Sequence, residues 1–286
     1  MKILITGNAG FVGRAYHRAF GDQHDITGID IANGIDARDF FAKDDTHFDL
    51  VIHLAAVVGG RATIEGNPLA VATDLAIDSD LFQWALRTRP NRIIYYSSSA
   101  AYPVYLQTGE MPIMLEEKDI DLSQIRTPDF SYGWAKLSGE MLAMYARREG
   151  LKVTILRPFS GYGQDQDLDY PFPSFVSRCW NQEKEFKIWG SGKQVRDFIH
   201  IDDVVEGSLV AAQNDVEVMN LCSGVPVSFI ELAEMMMDIS GHRVPIVTDE
   251  TKPVGVMFRV GEPSNMLKVF TPKISLEEGI ARSFQI

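Results

Sequence analysis

Short apolar runs alternate with stretches of helical period along the first half of the chain. Lys2 to Thr6 is a β-branched-rich run that ends in glycine, and Phe11 to Phe20 then carries apolar positions at helical spacing, so the chain opens strand, turn, helix. A second apolar piece, Asp25 to Ile29, ends at Asp30. Leu50 to Ala55 and Arg92 to Tyr96 are apolar without alternation, the pattern of strands buried on both faces. Asp74 to Arg87 and Tyr132 to Arg148 read as long helices, and Val153 to Leu156 as the next strand. Strands and helices taking turns in this way predict an α/β fold with a doubly wound parallel sheet.

The pattern changes after Arg157-Pro158. Residues 161–175 are rich in Gly, Asp and Pro, and regular structure resumes only at Ser174 to Trp180. Arg196 to Val210 and Val218 to Leu221 rejoin the sheet or flank it, and Phe229 to Ile239 forms a helix whose Met235-Met236-Met237 run reads as gap-filling core. The division this predicts is a first domain of residues 1–157 with about 194–221, and a smaller C-terminal domain of about 158–193 and 222–286.

With 286 residues, 45% hydrophobic and 23% charged, the chain can bury a full core, which excludes disordered and fibrous classes. A formal charge of -12 repels a phosphate backbone, so nucleic acid is not an expected partner. Cys179 and Cys222 lie far apart with no Cys/His cluster, so no disulfide framework and no metal site are expected, and a reducing compartment fits. The opening MKILITGNAGFVG has one lysine and a five-residue apolar run, too short for a signal peptide or a span, so a soluble cytoplasmic protein without membrane contact is expected.

Gly7, Gly10 and Gly13 follow the first strand and open the first helix, where unpaired amides and the helix dipole favour a pyrophosphate. In that setting the triplet predicts a Rossmann-type dinucleotide site. Asp30, at the end of the second strand, is positioned to accept hydrogen bonds from both adenosine ribose hydroxyls and would repel a 2′-phosphate. That favours NAD over NADP, with Arg14 and Arg38 nearby as the charges an NADP site would need. Ser97-Ser98-Ser99 leaves the strand Arg92 to Tyr96 at its carboxyl end, where such sheets bind ligands. Tyr132 and Lys136, four apart on one helix face, let an ammonium lower a phenol's pKa and make it a general base. Taken alone, such a pair is common on amphipathic helices.

The glycine spacing, Asp36-Ala37-Arg38-Asp39 and Asp49-Leu50-Val51-Ile52-His53-Leu54-Ala55-Ala56 together resemble the extended short-chain dehydrogenase/reductase superfamily. Ser98-Ser99-Ala100-Ala101-Tyr102, Tyr132-Gly133-Trp134-Ala135-Lys136, Leu156-Arg157-Pro158, RDFIHIDDV from Arg196 and SLEEGI from Ser275 extend the resemblance to its nucleotide-sugar epimerase and dehydratase branch, over essentially the whole chain. The resemblance implies NAD held by Gly7, Ala9, Gly10, Phe11, Val12, Gly13, Asp30, Asp36, Ala37, Leu54, Ala55, Ala56, Asp74, Tyr132, Lys136 and Pro158. It implies Ser98 as the hydroxyl that binds the reacting group, with Ser99 the alternate, Tyr132 as the base, and Lys136 as the holder of the nicotinamide ribose that keeps Tyr132 acidic. Gly60, Arg61, Ser98, Ser99, Ser160, Arg196 and Arg259 would meet the substrate, the last two arginines at its diphosphate. Three departures stand out: the short chain between Asp30 and Asp36, which would open the adenine end, Asp74 where the family usually has Asn, and Ser160 where R-P-x-N has Asn.

Within the branch, Ala56-Val57-Val58-Gly59-Gly60, Ala101-Tyr102-Pro103 and the acidic insert before Tyr132 look most like GDP-mannose 3,5-epimerase and GDP-fucose synthase. Those enzymes carry a cysteine two residues after the catalytic serine, where this chain has Ala100, and a lysine or histidine partner that Gly163 to Phe175 lacks. The Asp-Glu pair of 4,6-dehydratases and the acidic residue of decarboxylating relatives are also missing at Ser99-Ala100. What remains is 4-epimerisation through a transient 4-keto sugar, with reduction of a 4-keto sugar by external NAD(P)H as the alternative. A dinucleotide-binding sensor without catalysis is a further alternative, which an intact Ser98, Tyr132 and Lys136 argue against.

A GDP-linked sugar is favoured through Gly59-Gly60 by the same resemblance. The helices from Asp74 and Tyr132 carry apolar residues on more than one face, among them Leu81, Phe82, Trp84, Met141, Leu142 and Tyr145, and resemble the family's dimer helices, so a homodimer is expected. His53 is read as a satisfied core histidine, and Asp202 as a cap for the helix that follows.

Overall fold

The computed structural model describes residues 1–59, 66–69, 72–110 and 112–285. Six parallel strands form the main sheet: β1 (Lys2–Thr6), β2 (Asp25–Ile29), β3 (Leu50–His53), β4 (Ile93–Tyr96), β5 (Val153–Pro158) and β9 (Val218–Leu221), in the order β2-β1-β3-β4-β5-β9. Alternation along β1 shows why it sits inside: Ile3 and Ile5 feed one core layer and Leu4 the other. Helices α1 (Phe11–Phe20) and α6 (Ile201–Gln213) pack on the first layer, while α2 (Ala37–Lys43), α3 (Ala72–Thr88) and α4 (Phe130–Arg148) pack on the second.

The chain passes from β1 to β2 on one side and returns to β3 on the other. The order reverses there, which opens a crevice over the carboxyl ends of β1 and β3. Between Asp30 and α2 there is only a 3₁₀ turn, Ile31–Asn33, and β2 is the edge strand of the main sheet.

The smaller lobe is built on β8 (Val195–His200), which pairs with β6 (Ser160–Tyr162), β10 (Pro226–Ser228) and β12 (Phe258–Arg259), beside a two-stranded pair of β7 (Phe186–Trp189) and β11 (Ile246–Asp249). Its core gathers Tyr162, Phe172, Phe198, Leu232, Met236 and Ile280 from these strands and from α5 (Pro171–Trp180), α7 (Phe229–Ser240) and α8 (Leu276–Ser283). Met236 and Met237 are buried there, as the Met run predicted. By sheet membership β8 belongs to this lobe, whereas α6 and β9 join the main sheet; the expected start of the returning segment near residue 194 therefore lies nearer 201.

Two local readings change. Asp202 does not cap α6: the His200 ring Nδ1 accepts from the Asp202 N–H at 3.2 Å. The neighbouring Asp203 carboxylate instead accepts the N–H groups of Lys273 and Ile274 at 2.9 and 3.0 Å, tying the C-terminal segment to α6. Of the residues expected at a dimer face, Leu81, Phe82 and Trp84 are buried within the chain, and the Trp84 indole donates to the Asp44 carbonyl at 3.0 Å.

Candidate active site

The glycine-rich turn lies against the carboxyl end of β3. Gly7 has φ +74°, and a side chain there would stand 2.9 Å from the backbone of Leu54 and Ala55; at Gly13 it would meet the Gly7 carbonyl at 2.5 Å. Gly10 starts α1 with no side-chain cap, which leaves the amides of Phe11, Val12 and Gly13 at a positive helix end. Ala9 N–H donates to one Asp30 oxygen at 2.9 Å, and Ala32 N–H to the other at 2.8 Å, so the carboxylate is fixed beside the turn with lone pairs left to accept hydroxyls.

Both arginines that would suit a 2′-phosphate are engaged. Arg38 donates to the Asp36 carboxylate from Nη2 at 2.6 Å, holding that carboxyl below its ordinary range, and Arg14 donates to the Ala9 and Asp165 carbonyls at 2.5 and 2.6 Å. Ala37 is buried at the start of α2, and Leu54 to Ala56 line the crevice half-buried. This cradle fits a dinucleotide pyrophosphate and an unphosphorylated ribose.

Ser97, Ser98 and Ser99 leave β4 into a 3₁₀ turn. Ser97 is buried and donates to Glu140, and Ser99 is buried too, so Ser98 alone of the three is partly accessible. Its Oγ accepts from Ala100 N–H at 3.1 Å and lies close enough to the Tyr132 phenol to favour its anion. The close approach depends on Gly133, where a Cβ would press on the Ala100 carbonyl and stand 3.0 Å from the Pro128 side chain. Lys136, buried one turn on, stands 5.8 Å from the Tyr132 ring centroid and 5.6 Å from that of Tyr95.

The groups around the phenol raise its pKa on balance. Burial pushes the Tyr132 pKa up, negative charge on Asp74 and then Asp78 raises it further, and the Ser98 hydroxyl opposes them. Lys136 lies over the Tyr132 ring. Asp74 itself, on α3, accepts the Val57 N–H at 2.5 Å, and burial raises its pKa to about 6 against the pull of Lys136.

Pro158 ends β5 half-buried beside Leu221, and Ser160 begins β6 two residues on. Arg196 and Arg259 are register partners on β8 and β12, so the two guanidinium stems start side by side. Arg259 donates to Asp129 at the start of α4 and to Gln107, each at 2.6 Å, while Arg196 lies 5.4 Å over the Phe229 ring. Gly60 and Arg61 lie outside the described residues.

Sequence reasoning passed over two features. His53 is indeed a satisfied core residue, but it anchors a web: Thr6 Oγ1 meets its Nδ1 at 2.9 Å, Nε2 meets Asp78 at 3.1 Å, and Tyr95 Oη donates to Asp78 at 2.6 Å. Burial lowers the His53 pKa, so the neutral ring fits with Nε2–H donating to the carboxylate. Tyr170, at the amino end of α5 in the segment that lacks lysine and histidine, lies near enough to Tyr132 for the two phenols to act on each other. A groove lined by Arg147, Lys152, Asp215 and Glu217 opens at the amino end of β5, away from this crevice and at the end of the sheet where such folds do not bind their ligands.

Residues 3–222 match the NAD dependent epimerase/dehydratase family. The chain is 27% identical to the putative GDP-L-fucose synthase 2 of Arabidopsis thaliana, covering 99% of this chain and 90% of that protein. It is 28% identical to dTDP-4-dehydro-6-deoxy-D-allose reductase of a Streptomyces species, over 93% and 90%. The UDP-glucose 4-epimerase of Thermotoga maritima, solved with UDP-glucose, superposes with a TM-score of 0.83 at 25% identity, over 99% of this chain and 97% of that one. With the glycine cradle, Asp30, and Ser98, Tyr132 and Lys136 over one crevice, this chain belongs to the NAD dependent epimerase/dehydratase family, and NAD is its cofactor.

Proposed function

We propose that this chain is an NAD-dependent 4-epimerase of a nucleotide-diphosphate sugar, acting through a transient 4-keto sugar. The observation that carries the reading is an accessible Ser98 beside Tyr132 and Lys136 over the carboxyl ends of the strands, with no lysine or histidine in residues 163–175 for proton transfer at a ring carbon. NAD, when bound, supplies a hydride acceptor that can return the hydride, and it carries a positive ring. Tyr132 takes the proton of the C4 hydroxyl as that carbon is oxidised and returns it to the ketone oxygen when the carbon is reduced on its other face, so protons and electrons balance. Ser98 holds the same oxygen by a hydrogen bond. The phenol's proton affinity, high in this structure, falls as positive charge joins Lys136 in the cleft.

Arg196 and Arg259 start from register partners and bring two guanidinium groups together for the diphosphate, for which Arg259 would exchange its bonds to Asp129 and Gln107, and the similarity to a GDP-L-fucose synthase favours GDP as the nucleotide. A second reading, reduction of a 4-keto sugar by external reduced nicotinamide, uses the same three residues and is favoured by the similarity to a 4-keto-sugar reductase.

The experiment is to measure NAD released from freshly purified protein and then to supply a panel of nucleotide sugars without added cofactor. Bound NAD with redox-neutral turnover supports the epimerase; an empty protein active only with added NADH or NADPH makes it a reductase. Tyr132→Phe should keep NAD binding and lose turnover, and retained turnover on the true substrate refutes Tyr132 as the base. We also propose a homodimer through α3 and α4, because Trp134 and Tyr145 are 44% and 52% exposed and Leu75, Leu86 and Met144 accompany them. Light scattering that returns the monomer mass at micromolar concentration removes that claim. The reducing cytoplasm suits two buried free thiols, and no helix among the described residues is long and apolar enough to cross a membrane.

A further inference from the structure

Asp74 is 1% exposed, yet among the described residues only one of its carboxyl oxygens finds a hydrogen-bond partner: Oδ1 accepts the Val57 N–H, while Oδ2 is buried without one. A buried carboxylate held by a single neutral donor is unfavourable unless a positive charge offsets it. The groups that act on it can be named element by element. From α4 come Lys136, whose charge favours the carboxylate, and Tyr132, whose phenol the carboxylate disfavours as an anion. From the next turn of α3 comes Asp78, a like charge already committed to His53 and Tyr95. From the described part of the loop after β3 comes the Val57 amide. An uncharged amide side chain at this position could keep the Val57 bond through its carbonyl oxygen and would present no charge to either Lys136 or Tyr132.

We propose that Asp74 is a positioning residue for the acid/base pair: a carboxyl fixed by the Val57 amide that competes with Tyr132 for the charge of Lys136, and so governs how readily the phenol releases its proton. The inference rests on Tyr132 being the base. Asp74 ionises near pH 6, so its influence on the phenol switches on within the ordinary working range. Below that range the neutral carboxyl leaves the ammonium to Tyr132.

The test compares the full-length wild type, Asp74→Asn and Asp74→Ser by near-ultraviolet tyrosinate titration, each against its Tyr132→Phe counterpart so that the Tyr132 signal is isolated, and by the pH profile of turnover. The midpoint of Tyr132 should fall by about one pH unit or more in either variant, because an opposing charge within reach shifts a pKa by roughly that much. The acidic limb of the kcat profile should move with it, with little change in KM. A midpoint equal to that of the wild type in the variant that folds overturns the proposal, since a carboxyl serving only to hold Val57 would leave the phenol's titration where it was. Retained turnover in Tyr132→Phe overturns the assignment of the base instead, whatever the Asp74 variants do.

Discussion

Replacing Glu140 by glutamine tests how the turn that presents Ser98 is held. The Glu140 carboxylate projects from α4 at 2% exposure and receives Arg157 of β5, itself 3% exposed, through Nε to Oε1 at 2.9 Å and Nη2 to Oε2 at 2.7 Å. The same carboxylate accepts the Ser97 hydroxyl, one residue before Ser98. Arg157 Nη1 completes the web by donating to Tyr102 Oη at 3.1 Å and the Glu117 carbonyl at 2.9 Å. Glutamine has the same shape but removes the charge and turns one acceptor into a donor that faces a guanidinium. The arginine cannot shed its proton in response, because a guanidinium stays charged in a protein even when buried. An uncompensated buried charge costs about 3–5 kcal/mol. A domain is stable by only about 5–15 kcal/mol, so the loss is about a fifth of the total or more. Glu278→Gln is the control: it breaks an exposed i,i+4 pair with Arg282 on α8, worth about 0.3–0.5 kcal/mol. Urea unfolding of both variants reads the two values, and turnover should fall in Glu140→Gln alone. A loss under about 1 kcal/mol in Glu140→Gln, similar to the control, would refute the claim that this pair clamps the catalytic turn.

Gly133→Ala sets helix propensity, a gain of about 1 kcal/mol, against overpacking on a backbone carbonyl that cannot swing away, a loss of about 1–3 kcal/mol. Tyr132 adjoins it, and a displacement on the order of 1 Å costs about 100-fold in rate, so turnover should drop far more than stability; a stabilised, fully active variant sinks the argument. Asp74→Asn should change stability in a pH-dependent way. The folded-state pKa of about 6 exceeds the unfolded value, so the carboxyl's adverse effect is absent below the unfolded pKa and grows as pH rises through 6. A shift of roughly two units is about 3 kcal/mol at most, so the variant should be the more stable protein at pH 7 and equal to wild type near pH 4; a difference that does not vary with pH contradicts this. Asp30→Asn should weaken NAD binding by about 10-fold, since hydrogen bonds to a charged acceptor are worth about 1.5–3 kcal/mol, and narrow the preference over NADP; unchanged affinities in a fluorescence titration would count against Asp30 as the ribose acceptor.

What the sequence made legible is what local period and spacing encode. Ile3, Leu4 and Ile5 are apolar on successive positions because β1 is buried on both faces, and Gly7, Gly10 and Gly13 mark a turn whose backbone has no room for side chains. The short strands of the smaller lobe were not legible, because β6, β10 and β12 are two or three residues long and pair across long sequence separations, leaving no alternation to count. The apolar residues of α3 were visible, but Leu81 and Trp84 face the sheet and Leu75 and Leu86 face outward, which helical period alone cannot decide when both faces are apolar.

The three serines after β4 show the same limit inside the site. The family resemblance narrows the reactive hydroxyl to Ser98 or Ser99, and no count along the chain separates neighbours. Glu140, forty-three positions from Ser97, separates them: by drawing Ser97 inward onto the Arg157 pair it sets the phase of the turn, so that Ser99 is buried in its turn and Ser98 faces the cleft. The identity of the accessible hydroxyl is therefore a property of a buried ion pair two elements away. If that is so, Ser99→Ala should leave turnover nearly unchanged while Ser98→Ala abolishes most of it, and equal losses would mean that the turn presents both.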